Sequence, residues 1–423
     1  MRIIIEGEAM GRRIGILALG SRGDVQPCVA LGAALQANGH SVTVATFESF
    51  KGMVEGQGIR HVPVPGDAQA LTGQMMGGDG ISSRNPLRLM QKIRETFGKA
   101  LADYARAFSA SELLTCEVIL DQLPGGIFGR DIAEKSGAQY FTIAVIPLLR
   151  TRYFPNPLLA AQNLGGPLNV MSYRFAEALL WTFFRKGVGQ FRAQIGLGTP
   201  TRFFKEAKAP VLLGISPQVV PPPSDWPKNV HLTGWWQLNE AAWQPPADLQ
   251  AFISAGDRPV FIGFGSMSSG DPIKLSQSVL EAIQLSGVRA VIGAGWAKWD
   301  DLAPNERIFR VDYAPYAWLF PKMAAIVHHG GSGTTGFALH SGVPSMVVAF
   351  GADQPYWGWR TAELGVGVPP LHIKSVTAKA LAESLRRLVS DSGLKAKAAQ
   401  LGQQLAHERG LEQAVSVIES YIH

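Results

Sequence analysis

Short apolar runs alternate with amphipathic stretches along most of the chain, and this rhythm starts twice. In the first half RIGILALG (13–20) reads as a buried strand and SRGDVQP as a turn, with a helix starting near Val25. CVALGAALQANG then carries apolar residues at helical spacing as far as Gly39, a residue suited to ending a helix. SVTVATF (41–47), CEVILD (116–121), QYFTIAVIP (139–147) and VLLGIS (211–216) read as further strands, while 84–110 and 157–195 read as longer helical insertions. The second half restarts with PVFIGFGS (259–266), VRAVIGAG (288–295), RIFRVDY (307–313), MAAIVHH (323–329) and PSMVVAF (344–350) as strands. DPIKLSQSVLEAIQLSG, DQPYWGWRTAELG, TAKALAESLRRLVSD and the residues from about Leu394 read as helices. Strands alternating with helices predict two parallel sheets in tandem. Between the halves PQVVPPPSDWP (217–227) is too rich in proline for an interior helix or central strand and reads as a linker.

Open parallel sheets bind ligands at the carboxyl ends of their strands, and four loops there can carry chemistry. GSRGDVQP (20–27) places Asp24 at a helix start, where it is either a capping carboxylate or a general base. GFGSM (263–267) lets backbone approach an anion and adds the hydroxyl of Ser266. HHGGSGTTG (328–336) fits G-x-G-x-x-G through Gly331, Gly333 and Gly336, the spacing of a dinucleotide site. Its helix start, near Gly333, is an anion site in its own right; Thr334 and Thr335 add hydroxyls and His329 a ring N–H. ADQPYWGW (352–359) offers Asp353 and Gln354, as a helix cap or as partners for sugar hydroxyls. The glycine loop lies several strands into its half, whereas a dinucleotide fingerprint opens its unit, so a mononucleotide between two domains fits better.

Composition narrows the class without choosing the ligand. The chain has 423 residues, enough for two or three domains, and is 46% hydrophobic and 17% charged. Two cysteines, Cys28 and Cys116, in no metal-like spacing favour a reducing cytoplasm. The start, MRIIIEGEAMGRR, lacks the apolar core of a signal peptide and reads as a leader or a mis-called start, since Met10 precedes the first convincing strand. No run is apolar and long enough for a transmembrane helix. Net charge is +6, but residues 150–208 alone hold nine basic residues against Glu177 and Glu206. Tyr153, Phe154, Tyr173, Trp181, Phe183, Phe184, Phe191, Phe203 and Phe204 interleave there. Such a stretch is either a surface for anionic lipid or nucleic acid or a solvated helix face over a local core.

Taken in order, GSRGDVQP, GISPQVVPPPSDWP with LTGWW (232–236), PVFIGFGSM, and HHGGSGTT with GVPSMVVAFGADQPYWG resemble the UDP-glycosyltransferases of GT-B architecture, nearest to their sterol 3-beta-glucosyltransferase branch. The resemblance implies an α/β fold of two Rossmann-like domains facing across a cleft. It divides the chain into an acceptor domain (1–216), a Pro-rich linker region (217–245), a nucleotide-sugar domain (246–400) and a C-terminal helix (401–423) that packs back on the first. It implies an inverting, metal-independent transfer of a hexose, glucose first, from a UDP-sugar to an apolar alcohol such as a sterol, with a dTDP-sugar as the alternative donor and no other cofactor. Asp24 matches the family's base. Ser21, Arg22, Gly23, Ser266, His329, Gly331, Ser332, Gly333 and Thr334 would hold the donor, largely its diphosphate. Tyr313 and Ala314 would lie near the nucleotide base, and Asp353 and Gln354 at the sugar. The absence of any D-x-D pair agrees with a diphosphate held without metal. Where plant relatives carry an acid against the ribose this chain has Phe337, so ribose recognition does not carry over. The expected setting is cytoplasmic, peripheral to an anionic membrane through 150–208, with no nucleic-acid partner. Two rivals stay open: an NAD-dependent oxidoreductase using GGSGTTG, and a sugar-nucleotide- or lipid-binding protein without turnover.

Overall fold

The structure is a computed structural model that describes residues 11–67, 100–123, 126–199, 209–238, 243–265, 272–294 and 306–422. Residues 1–10 and 200–208, with the basic and aromatic residues expected there, most of the helix expected over 84–110, and Ser266 lie outside the described residues.

The first sheet is built from β1 (Arg13–Leu17), β2 (Ser41–Phe47), β3 (Arg60–Val64), β4 (Val118–Leu123), β5 (Gln139–Ala144), β6 (Val211–Leu213) and β7 (Val230–Leu232). All are parallel, in the spatial order β3-β2-β1-β4-β5-β6-β7. The second contains β8 (Val260–Gly263), β9 (Ala290–Gly293), β10 (Ile308–Val311), β11 (Ala325–His328), β12 (Ser345–Ala349) and β13 (Leu371–His372), in the order β10-β9-β8-β11-β12-β13. Counted within each half, both orders begin 3-2-1-4-5-6, the doubly wound Rossmann arrangement. The near-continuous apolar runs follow from burial of both faces. Ile14, Ile16, Val42, Val44, Val118 and Leu120 share one core cluster, while Leu17, Ala45, Phe47 and Ile119 share another.

The helices that bear on the cleft are α1 (Arg22–Ala37), α2 (Gly166–Gln194), α3 (Pro272–Ser286), α4 (Ser332–His340), α5 (Gln354–Glu363), α6 (Ala378–Ser390), α7 (Ser392–Ala406) and α8 (Gly410–Ile422). The helix expected near Val25 begins instead at Arg22, because Ser21 caps it. The expected single C-terminal helix is two, α7 and α8, parted at 407–409. α8 packs on the first half through Ala414, Val415 and Ile418. Arg12 donates to the Ile422 carbonyl at 3.3 Å. Three strands escape the periodicity. β3, RHVPV, is partly exposed and is not among the expected strands. β7 falls inside the expected linker region and pairs beside β6, and β13 is only two residues long. Cys28 and Cys116 are buried and unbridged.

Candidate active site at two facing crevices

A doubly wound sheet opens a crevice where successive crossovers go to opposite faces, between its first and fourth strands. In the first sheet that point lies between β1 and β4. β1 runs into Gly20, at φ +151°, where a Cβ would lie 2.4 Å from Asp24 Oδ2. Glycine therefore lets the strand end close over the carboxylate. The Ser21 backbone N–H donates to Asp24 Oδ2 at 2.8 Å and the Ser21 hydroxyl at 2.9 Å, completing a capping box. From the end of β4, Gln122 Nε2 donates to Asp24 Oδ1 at 3.4 Å. Loss of solvent raises the Asp24 pKa above its ordinary value, and the Ser21 and Gln122 hydrogen bonds only partly offset this. Asp24 is thus both a cap and a half-buried carboxylate at the mouth of a crevice.

In the second sheet the crevice lies between β8 and β11. His328 closes β11, fully buried, and its Nδ1 accepts from the Gly330 N–H at 3.1 Å. An accepting Nδ1 places the ring proton on Nε2. The next residue, His329, keeps a buried Nδ1 with no partner in the protein. Desolvation lowers the His329 pKa to about 4. With no anion beside it the ring is therefore neutral at neutral pH and has one N–H to offer. A Cβ at Gly331 would fall 2.6 Å from His329 Nε2, so only glycine lets the loop pass under this ring. Gly331 is the N-cap of α4, whose first N–H groups and dipole form an anion site. Thr334 is half-buried on the first turn, whereas Thr335 turns inward and donates to the Gly331 carbonyl at 3.0 Å.

From the end of β12 comes a strained turn. Ala352, at φ +53°, is the one non-glycine residue with positive φ among the described residues, and it immediately precedes Asp353. Such a conformation costs on the order of 1 kcal/mol and persists where surrounding structure holds it, often at a functional site. Asp353 Oδ2 accepts from the Trp357 indole at 2.8 Å, and Gln354 Oε1 accepts from the Phe350 N–H at 2.7 Å. Burial, then the charge of Asp24, raise the Asp353 pKa to about 7. Carboxylates from opposite halves thus sense one another across the cleft.

Two direct contacts close this geometry. The Ser332 hydroxyl donates to the Val145 carbonyl, beyond β5, at 2.5 Å. The Arg22 guanidinium lies 5.7 Å from the centre of the Tyr313 ring. Of the expected site residues, the base Asp24 stands on one side with Ser21, Arg22 and Gly23, and Tyr313, Ala314, His329 and Gly331 to Thr334 stand on the other, with Asp353 and Gln354. The Ser332 side chain is spent on Val145, so any part this residue takes in holding an anion falls to its backbone N–H. The dinucleotide spacing also dissolves into separate causes. Gly331 makes room for His329 and Gly333 faces open space, while a Cβ at Gly336 would meet the Trp235 ring at 2.8 Å. Gly336→Ala should therefore cost about 1–3 kcal/mol by overpacking, read as a lower urea midpoint with unchanged slope.

Gln122, Trp357, Val145 and Trp235 were not expected at the site. Two had a signal: Gln122 follows Asp121 where the apolar run VIL ends, and Trp357 lies one helical turn after Asp353. Among the described residues no group of three or more His, Cys, Asp or Glu could hold a metal ion, and no helix is long and apolar enough to cross a membrane.

Two similar sheets whose switch-point crevices face each other make this a GT-B fold. Known proteins agree in fold and in sequence. The calicheamicin glycosyltransferase CalG4 superposes with a TM-score of 0.71 over 97% of this chain and 98% of its own, at 18% identity. The glycosyltransferase VinC in complex with dTDP gives 0.64 over 96% and 98%, at 20% identity. Residues 14–155 match the glycosyltransferase family 28 N-terminal domain, and residues 297–418 the erythromycin biosynthesis protein CIII-like C-terminal domain. The sterol 3-beta-glucosyltransferase of Cryptococcus neoformans var. neoformans is 34% identical over 96% of this chain. The chain spans 27% of that relative's length. Its sequence therefore resembles the sterol 3-beta-glucosyltransferase branch of the GT-B glycosyltransferases.

Proposed function

We propose that the chain transfers a hexose, glucose first, from a UDP-sugar to the hydroxyl of an apolar acceptor of the sterol or lipophilic natural-product class. The observation that carries this reading is the convergence of Asp24 from one switch point with His329, the α4 N-terminus and Asp353 from the other. The sterol glucosyltransferase likeness supports the acceptor class and the sugar; the dTDP bound by VinC keeps a dTDP-sugar as the alternative donor.

In this mechanism Asp24 takes the proton of the acceptor hydroxyl as its oxygen attacks the anomeric carbon. The bond from that carbon to the diphosphate oxygen breaks, its electron pair leaves with the diphosphate, and attack from the opposite face inverts the configuration. Positive charge develops on the sugar ring, as in glycoside cleavage. Negative charge on the leaving diphosphate is met by the first N–H groups of α4 and a ring N–H of His329. No metal is needed in this scheme. Asp353 and Gln354 orient the sugar hydroxyls from the strained turn, and Tyr313 and Ala314 lie toward the base. Gln122 positions Asp24. Gln122→Ala should lower kcat about tenfold with KM for donor little changed, since the carboxylate loses one orienting partner and keeps the Ser21 pair.

The test is to supply UDP-glucose and dTDP-glucose with a sterol and a polyketide alcohol, then identify the product and its anomeric configuration by NMR. A β-glucoside formed from the α-linked donor supports the reading. Hydride transfer with NAD and no glycoside would replace it with the oxidoreductase alternative.

A further inference from the structure

The basic, aromatic stretch 150–208 divides once its side chains are placed. Tyr173, Phe184 and Phe191 are core, and Arg192 is buried against Asp131 at 2.6 Å and Glu134 at 2.8 Å. Arg150 pairs with Glu177, the one acidic residue of α2. The buried ones are spent on the fold, and the charge of the exposed Arg150 is balanced by Glu177.

What remains outside is a different set. Leu168, Met171, Phe175 and Leu179 recur at intervals of three and four along α2, so they form one stripe. They are 54%, 59%, 60% and 37% exposed, and Leu164, just before the helix, is 45% exposed. The opposite face carries Asn169, Tyr173, Ala176, Phe184 and Phe191 into the protein. At 100° per residue Arg174 and Arg185 fall along one flank of the stripe, and Lys186 continues its line after Leu179. All three are exposed. A helix that buries one apolar face and turns a second outward, bordered by basic groups and no exposed acid of its own, fits a partner that is apolar within and anionic at its surface.

We propose that this face of α2 docks the protein on an anionic lipid bilayer, with the stripe seated among the acyl chains and Arg174, Arg185 and Lys186 at the headgroups. The chain joining this face to the cleft adds further apolar side chains. Between Val145, which holds Ser332, and α2 lie Phe154, Tyr153 and Leu159. Phe154 packs 5.9 Å from Tyr356 of α5, and Tyr153 and Leu159 are exposed. Docking by α2 therefore brings the cleft to the membrane interface, where a lipophilic alcohol resides. The docking itself is independent of the proposed transfer reaction, because binding is measured without turnover.

The experiment is co-sedimentation of the full chain with phosphatidylcholine vesicles, with and without phosphatidylglycerol. Binding should require the anionic lipid and weaken with salt, each basic residue contributing roughly fivefold to the partition. Met171→Asp with Phe175→Asp should lower binding about tenfold or more. Arg174→Glu with Arg185→Glu should lower it on anionic vesicles alone. Both variants alter exposed side chains, so an unchanged melting temperature and UDP affinity show that the fold is intact. Three results would overturn the proposal: no binding to anionic vesicles, equal binding by the double aspartate variant, or a wild-type dimer that this variant converts to monomer. The last would make a second copy of the chain the occupant of the stripe.

Discussion

Asp24→Asn should reduce turnover by about 10²–10⁴-fold, the range for losing a general base, while donor affinity and the fold stay close to wild type. The substitution separates the two roles the structure gives this residue. An asparagine oxygen still accepts the Ser21 N–H, so the cap survives and stability should fall by no more than about 1 kcal/mol. Proton transfer does not survive. If Asp24 were only a cap, kcat would follow stability and stay nearly unchanged, so parallel rate and urea measurements decide between the roles. In the wild type the acid limb of the pH–rate profile should lie above the ordinary carboxylate range, because burial favours the protonated Asp24 and the base works only when ionised.

Asp353→Asn should stabilise the protein at pH 8 while impairing sugar recognition. Asp353 titrates near 3.8 when unfolded and near 7 when folded, so between these values the folded state binds more protons. Stability is then lost as pH rises through that window, and above it the ionised, buried carboxylate is a full penalty. The difference amounts to about 4 kcal/mol at most. Asparagine is neutral and can still accept the Trp357 indole N–H. The variant should therefore melt higher than wild type at pH 8, with the gap closing toward pH 4. Its KM for the sugar nucleotide should rise, since one acceptor for sugar hydroxyls is replaced by a weaker one. A melting difference of the same sign and size at every pH would show that the Asp353 charge is not what destabilises the site.

The sheets were legible because parallel strands buried on both faces need unbroken apolar runs such as RIGIL, AIVH and SMVVA. Three of the four edge strands were not: β3, RHVPV, is half-exposed with a proline inside it, β7 sits behind the proline run, and LH at β13 is too short for any period. The cleft residues could be read from glycine loops at strand ends, since Gly20 and Gly331 mark where backbone must pass close to Asp24 and His329. Partners brought by topology were harder to see. Nothing near Ser332 in sequence points to Val145, and nothing around Gly336 announces Trp235. Charge misled in the same way: the basic count over 150–208 could not show that Arg192 is consumed by Asp131 and Glu134, or that the exposed apolar residues between the arginines include Phe175.

The two crevices are expected to hold one sugar nucleotide between them, with its diphosphate at His329 and the start of α4. Calorimetric titration of UDP-glucose, dTDP-glucose and NAD into wild type and His329→Ala tests it most directly. A single UDP-glucose site is expected, with affinity falling about tenfold or more in the variant and no NAD binding at comparable concentration. NAD binding unaffected by the substitution, with no sugar nucleotide bound, would contradict it.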